Sequence, residues 1–372
     1  MMSRAAAPIH VLVVDDSLVF RRFLTRTLRA DPALEVIGEA GSAEEARAFV
    51  LGRRPDVITL DLEMPGQGGL EFLRRTAAPL RIPTIVISSQ TQRGARRTIE
   101  ALEAGAVDVM PKPRGLAPGT ADHLALSAIS ERVRAVARVN LPKATQTASP
   151  FGAVSLAPAA SRNWVIALGA STGGVQALGA VLHALPADCP PVVIVQHMPV
   201  GFTDAFARRL NNTCAIEVRE AQRGDRLCPG LALIAPGGKQ HMVLRRGAQG
   251  GISVDLVPGD PVCFSIPSVD ELLISAARVA APRLTAAVLT GMGSDGANGL
   301  LAARQAGAQT FVQDEASSLI YGMPARAWEK GGAQAQVPLD QMAARLLASV
   351  GTTSAGQPAT GLAATRPFQR GS

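Results

Sequence analysis

Three residues in the second half of the chain, Ser171, His197 and Asp295, have the types that a serine nucleophile, its base and an orienting acid require. Each stands just past an apolar run that reads as a strand. Gly169-Ala170-Ser171-Thr172-Gly173 follows Trp164–Leu168 and precedes an apolar-periodic helix. It is formally a G-x-S-x-G turn, whose small neighbours let a hydroxyl project. His197 follows Val192–Gln196, and Asp295 lies just past a strand over Leu284–Thr290. Residues beyond the carboxyl ends of parallel strands share one rim, so these three side chains can meet there. The glycines alone are weak evidence, because they also fit a degenerate dinucleotide loop or a helix N-terminus that binds an anion. GxGxxG is absent and no acidic residue ends the strand Val192–Gln196, so a nucleotide-dependent oxidoreductase leaves His197 and Asp295 without a use. Among the other histidines, His10, His123 and His183 fall in a strand or in helices; His241, after Gly237-Gly238-Lys239-Gln240, is the rival base.

The first half offers different chemistry. Asp15 and Asp16 follow the apolar run Ile9–Val14, and Asp61 follows Asp56–Leu60. Carboxylates gathered in one crevice repel unless a cation neutralises them, and oxygen ligands of this kind suit Mg²⁺. Ser88 ends a strand over Pro83–Ile87, and Lys112 stands beyond Val107–Met110, adding a hydroxyl and an ammonium to the same rim. Such a set can receive a phosphoryl group on a carboxylate. In the plainer reading Asp16 caps the first helix and Asp61 merely ends a strand.

The elements that must position these groups are legible as two α/β patterns. Leu18, Phe20, Phe23, Leu24 and Leu28 mark a helix, Val36–Gly38 a short strand, and Ser42 with Glu45 the capping box of a second helix. Further helices are expected near 92–104 and 121–138. Continuous apolar strands alternating with amphipathic helices imply parallel sheets covered on both faces. Residues 139–161, rich in Ala, Pro, Ser and Thr, read as a flexible linker between a domain over 1–138 and one over 162–349; 350–372 read as a disordered tail. Strands at Leu231–Ala235, Met242–Leu244, Ile252–Leu256 and Gln309–Val312 complete the second pattern.

Composition narrows the class. In 372 residues, 18% are charged and 47% hydrophobic, which suits a folded protein rather than a disordered one, and about one residue in six is Gly or Pro. The net charge of +7 permits attraction to acidic partners, but no helix-turn-helix or Arg/Lys-rich recognition helix argues for DNA. Cys189, Cys214, Cys228 and Cys263 lack metal-ligand spacing and read as buried, reduced thiols. With no signal peptide or membrane-type apolar run, the expected compartment is the cytoplasm, without membrane insertion.

VLVVDDS, DLEMP, a strand ending in SS and the pair Lys112-Pro113 together resemble a two-component receiver domain over about residues 9–138. GASTGG, VVIVQHMP, IAPGG, PSVDELL, LTGMGSDGANGL and QDEASSLIYGMP resemble, over roughly 164–347, the catalytic domain of the chemotaxis protein-glutamate methylesterases. The resemblance implies a flavodoxin-like (βα)5 receiver linked to a parallel-sheet, doubly wound α/β methylesterase domain. It implies Asp61 as phosphoacceptor, Asp15, Asp16 and Asp61 around Mg²⁺, Ser88 as switch hydroxyl and Lys112 as phosphoryl contact. In the catalytic domain, where no cofactor is implied, it gives Ser171 as nucleophile, His197 as base and acid, and Asp295 as its orienter. The N–H of Met292 serves the oxyanion, and Thr172 lies close to the substrate. The reaction implied is hydrolysis of glutamate γ-methyl esters on methyl-accepting chemoreceptors, with deamidation of receptor glutamines. The phosphoryl donor is a chemotaxis histidine kinase, and the enzyme a monomer at chemoreceptor arrays. The alternative is a response regulator whose degenerate esterase domain only binds. Four features depart from the family pattern: Val109 stands for the switch aromatic, Gly68-Gly69 for Asp-Gly and Ile266 for a common arginine, and an extra residue lies in Gly237-Gly238-Lys239-Gln240-His241.

Overall fold

A computed structural model describes residues 7–65, 68–88, 91–112, 123–139, 164–247 and 250–351. The linker expected over 139–161 and the tail expected over 350–372 lie almost wholly outside the described residues. In the first half, β1 (Ile9–Val14), β2 (Leu34–Ala40), β3 (Val57–Leu60), β4 (Thr84–Ser88) and β5 (Asp108–Pro111) form one sheet in the order β2-β1-β3-β4-β5, parallel throughout. Around it lie α1 (Leu18–Arg29), α2 (Ala43–Gly52), α3 (Gly68–Phe72, continued as a π-helical turn over Leu73–Ala77), α4 (Gln92–Glu103) and α5 (His123–Ala137). The short helix α3 escapes sequence reading. Ser17, rather than Asp16, caps α1, its hydroxyl accepting from the N–H of Phe20. Ser42 caps α2 by accepting from Glu45 N–H, and the Glu45 carboxylate reaches back to the N–H of Gly41, one residue before the cap.

The second half holds a parallel seven-stranded sheet in the order β14-β13-β12-β6-β7-β9-β8. Its strands are β6 (Val165–Ala170), β7 (Val192–Gln196), β8 (Glu217–Glu220), β9 (Leu231–Ile234), β12 (Leu284–Val288), β13 (Gln309–Gln313) and β14 (Ala335–Val337). Apart stand β10 (Gln240–Arg246) and β11 (Ile252–Pro258), an antiparallel pair outside the main sheet. The helices are α6 (Gly174–His183), α7 (Phe202–Asn211), α8 (Val269–Ala280), α9 (Ala297–Gln305), α10 (Met323–Glu329) and α11 (Leu339–Ala348). Central strands are buried along their whole length, as strands covered on both faces must be.

Both sheets grow outward from a first strand in two directions, and the crevice where the direction reverses is the place where ligands bind. In the first sheet it lies between β1 and β3, in the second between β6 and β12. These strands carry Asp15 and Asp61, and Ser171 and Asp295, just past their carboxyl ends.

The cysteines differ from the sequence expectation. All four are free, but only Cys189 is buried, while Cys228 and Cys263 are exposed. Burial pushes the Cys189 thiol up to about 12, so it stays protonated and unreactive at neutral pH. Native alkylation followed by peptide mass spectrometry is expected to label Cys228 and Cys263 readily and Cys189 only after denaturation. No helix among the described residues is long and apolar enough to cross a membrane.

Candidate active site and phosphoacceptor pocket

The loop after β6 turns sharply because the ends of β6 and β12 are stitched together, with Ser171 N–H donating to Thr290 O at 3.0 Å. Gly291 is what lets them approach: a Cβ there would stand 2.8 Å from Ser171 Cβ and 2.4 Å from Met323 Sδ. His197 leaves β7 with its N–H on Ala170 O at 3.0 Å, which brings it beside the serine loop. Its Nε2 lies 2.8 Å from Asp295 Oδ2. That leaves Nδ1 as the ring nitrogen not bonded to Asp295, 3.5 Å from Ser265 Oγ. The hydroxyl of Ser171 is not hydrogen-bonded to His197 in this arrangement, although both line one narrow cleft.

Asp295 is buried and fully engaged. Its Oδ2 also accepts from Val269 N–H at 2.7 Å, and its Oδ1 from Ser268 Oγ at 2.8 Å and Asp270 N–H at 2.9 Å. The carboxylate thus sits on the N-terminus of α8, where the unpaired N–H groups favour negative charge. Burial alone would raise its pKa; His197 and the backbone donors outweigh that and hold it below the usual carboxylate value. Ser268 caps α8, accepting from Glu271 N–H while it donates to Asp295.

His241, the rival base, is spent elsewhere. Buried, it accepts from Ser268 N–H at Nδ1, 3.1 Å, and its Nε2 lies 3.0 Å from Asp260 O. Both ring nitrogens are used, and the histidine props the cap that holds Asp295. Gln196 is the residue that sequence reasoning missed here. Its buried Nε2 donates to Ser171 O at 2.8 Å and His197 O at 3.2 Å, tying the two loops together. Adjacency to His197 was the only signal for it. The N–H of Met292, half-buried on the turn after β12, donates to no acceptor among the described residues.

In the first half, donor oxygens of Asp15, Asp16 and Asp61 all lie within 4.8 Å of one another, with Asp15 and Asp61 buried and Asp16 exposed. Lys112 Nζ stands 2.7 Å from both Asp15 Oδ2 and Asp61 Oδ2. Burial pushes the Asp15 carboxyl up more than Lys112 brings it down. Burial would lower Lys112, but its bonds to Asp15 and Asp61 prevail and raise it. Ser88 is buried, and its carbonyl accepts from Lys112 N–H at 2.9 Å. Gly69 keeps the glycine of the family's Asp-Gly for a visible reason, since a Cβ there would lie 1.9 Å from Asp61 O; the departing residue is Gly68, whose φ is 67°.

Comparison with known proteins fits both halves. The CheB methylesterase family model matches residues 166–346, and the response regulator receiver domain model matches 11–118. A protein-glutamate methylesterase/protein-glutamine glutaminase of group 2 operon from Cereibacter sphaeroides is 50% identical over 340 residues, 91% of each chain. The chain belongs to the CheB family of protein-glutamate methylesterases/protein-glutamine glutaminases. Another member, from Syntrophotalea carbinolica, is 45% identical over 343 residues, covering 91% of this chain and 97% of that one. The crystal structure of the Thermotoga maritima CheB methylesterase catalytic domain shares 33% identity, covers 50% of this chain and 99% of its own, and gives a TM-score of 0.49.

In this CheB-family chain the receiver lies against the cleft. Leu102, Val107, Asp108 and Val109 line it together with Ser171, Gln176, Gln196, His197 and Met198. Thr172 Oγ1 donates to Asp108 Oδ2 at 2.9 Å, and the same oxygen accepts from Arg132 Nη1 at 2.8 Å. Gln176 Nε2 donates to Leu102 O at 2.6 Å and Ala106 O at 3.0 Å, and Arg209 pairs with Glu103 at 2.8 Å. The residue pairs that join the two halves were not legible in the sequence, because their members lie 64 to 106 positions apart.

Proposed function

We propose that this chain hydrolyses glutamate γ-methyl esters, and deamidates glutamines, on the cytoplasmic helices of chemoreceptors, and that its receiver gates the reaction. The observation that carries the reading is the Asp295–His197 pair on the same rim as Ser171, inside a cleft that the receiver walls. The Ser171 oxygen attacks the ester carbonyl carbon while His197 Nδ1 takes its proton, a hydrogen bond that forms as substrate enters. Asp295 fixes the ring so that Nε2 carries the proton and Nδ1 is the base. The free N–H of Met292 stabilises the oxyanion. Protonated His197 then gives its proton to the leaving methoxy oxygen, or to the amide nitrogen of a glutamine, as the carbonyl re-forms and methanol or ammonia departs. Water, deprotonated by His197, cleaves the acyl-enzyme, leaving glutamate and restoring Ser171. Thr172, released from Asp108, borders the substrate.

The acidic pocket fits a hard divalent cation, since its clustered donors are all carboxylate oxygens. Asp15, Asp16 and Asp61 would hold Mg²⁺, which when bound supplies the charge neutralisation that phosphoryl transfer to a carboxylate needs. Asp61 accepts the phosphoryl group from a chemotaxis histidine kinase, with Ser88 and Lys112 as its neighbours. The strand order β2-β1-β3-β4-β5 supports a flavodoxin-like receiver over 1–138, and helices on a reversing parallel sheet support a doubly wound catalytic domain over 162–349. Lys112 directly follows β5, which carries Asp108. New negative charge on Asp61 draws on Lys112, shifts the end of β5 and loosens the Asp108–Thr172 bond. The chain acts in the cytoplasm at receptor arrays.

Removing the latch tests the gate. Asp108→Ala in the full chain is expected to raise methanol release without a phosphoryl donor about 10- to 150-fold, the effect of losing one hydrogen bond to a charged group, about 1.5–3 kcal/mol. An unchanged donor-free rate would contradict the gating role of this contact.

A further inference from the structure

Between β11 and α8 the chain makes a two-residue turn, closed by Val262 N–H to Ser265 O at 3.1 Å and Ser265 N–H to Val262 O at 2.9 Å. Its two central residues, Cys263 and Phe264, have φ of 47° and 64°. Neither is glycine or asparagine, so both sit in a backbone region that L-residues with a bulky side chain avoid. The strain is not offset by packing, because Phe264 is 97% exposed. The turn lies beside the base: Ser265, the next residue, has its Oγ 3.5 Å from His197 Nδ1. A single exposed apolar residue needs no explanation. A solvated aromatic ring on a strained turn, one residue from a contact to the base, does.

We propose that Phe264 is a substrate-docking element, which packs on an apolar side chain of the protein segment that carries the glutamyl ester. This inference rests on the esterase reading and adds to it a residue for choosing among protein substrates. The ring is spent on binding and not on the chemical step, since Phe264 carries no group that moves a proton. A methyl ester free of a surrounding protein segment has nothing to offer it.

The test compares the full-length chain with its Phe264→Asn and Phe264→Tyr variants, all with Mg²⁺ and acetyl phosphate. The substrates are a methylated chemoreceptor in membranes and a small γ-methyl ester of an N-acylated glutamate. Asparagine tolerates a positive φ, so Phe264→Asn preserves the turn and is expected to raise the melting temperature. On the receptor its kcat/KM is expected to fall at least about tenfold more than on the small ester, mainly through KM. Phe264→Tyr, which keeps the ring, is expected to stay near the parent. Equal losses on both esters, or a Phe264→Asn variant with parental kcat/KM on the receptor, would overturn the proposal. No hydrolysis of either ester by the parent chain would instead overturn the esterase reading itself, and this inference with it.

Discussion

Ser171→Ala is expected to lower kcat for methyl-ester hydrolysis by about four to six orders of magnitude, the cost of removing a nucleophile whose base and oxyanion donors remain. The reason is visible around the residue. Everything near Ser171 is arranged to present one hydroxyl: Gln196 clamps its carbonyl, Thr290 receives its N–H, and Gly291 clears space against its Cβ. Alanine removes only Oγ and leaves those contacts in place, so the variant should fold with an unchanged melting temperature. Single-turnover methanol release is the suitable measurement, because it separates the acylation step from product release. A variant that kept a tenth of the parental rate would remove Ser171 from the chemistry.

Asp295→Asn is expected to cost nearly as much, about 10⁴-fold in kcat, for a different reason. All four groups bonded to Asp295 are donors: His197 Nε2, Val269 N–H, Ser268 Oγ and Asp270 N–H. An amide offers one oxygen to two of them and turns its NH₂ toward the other two. If the NH₂ faces His197, the ring must present a lone pair at Nε2, its proton moves to Nδ1, and the base is lost. That orientation also leaves the N–H of Val269 unpaired. If the NH₂ faces Ser268 and Asp270 instead, the N–H of Asp270 is left unpaired and the Ser268 hydroxyl is forced to turn, each unpaired buried N–H costing about 1–3 kcal/mol. Either way the variant is less stable than the parent, unlike Ser171→Ala. Thermal melts beside kcat measurements distinguish the two substitutions. Equal melting temperatures for Asp295→Asn and the parent would contradict this account of its hydrogen bonding.

The sequence makes the strongest elements legible and the contacts between them mostly not. Apolar runs such as VVIVQ and VITL can only be strands buried on both faces, and the residues just past them therefore fall on a sheet rim. That logic alone finds Asp15, Asp61, Ser171, His197 and Asp295. It fails where an element is short, polar or at an edge: β8 reads EVRE, β14 reads AQV, and each borders only one other strand of the main sheet. It fails again for His241, whose place beneath Ser268 follows from the β10–β11 pairing and the start of α8. A buried histidine with both nitrogens paired looks, in one dimension, like a base in a glycine-rich loop. Asp108 is the hardest case. On its own strand it is one polar residue near an edge, and only the docking of the two domains gives it Thr172.

The central claim is a Ser171 esterase that the receiver holds shut. The most direct measurement is methanol release from methylated chemoreceptor membranes by the full-length chain and by Ser171→Ala, each with and without Mg²⁺ and acetyl phosphate. The account predicts release by the parent alone, rising when the donor is present. Release that is the same with and without the donor would contradict the gate, and release that survives Ser171→Ala would contradict the chemistry.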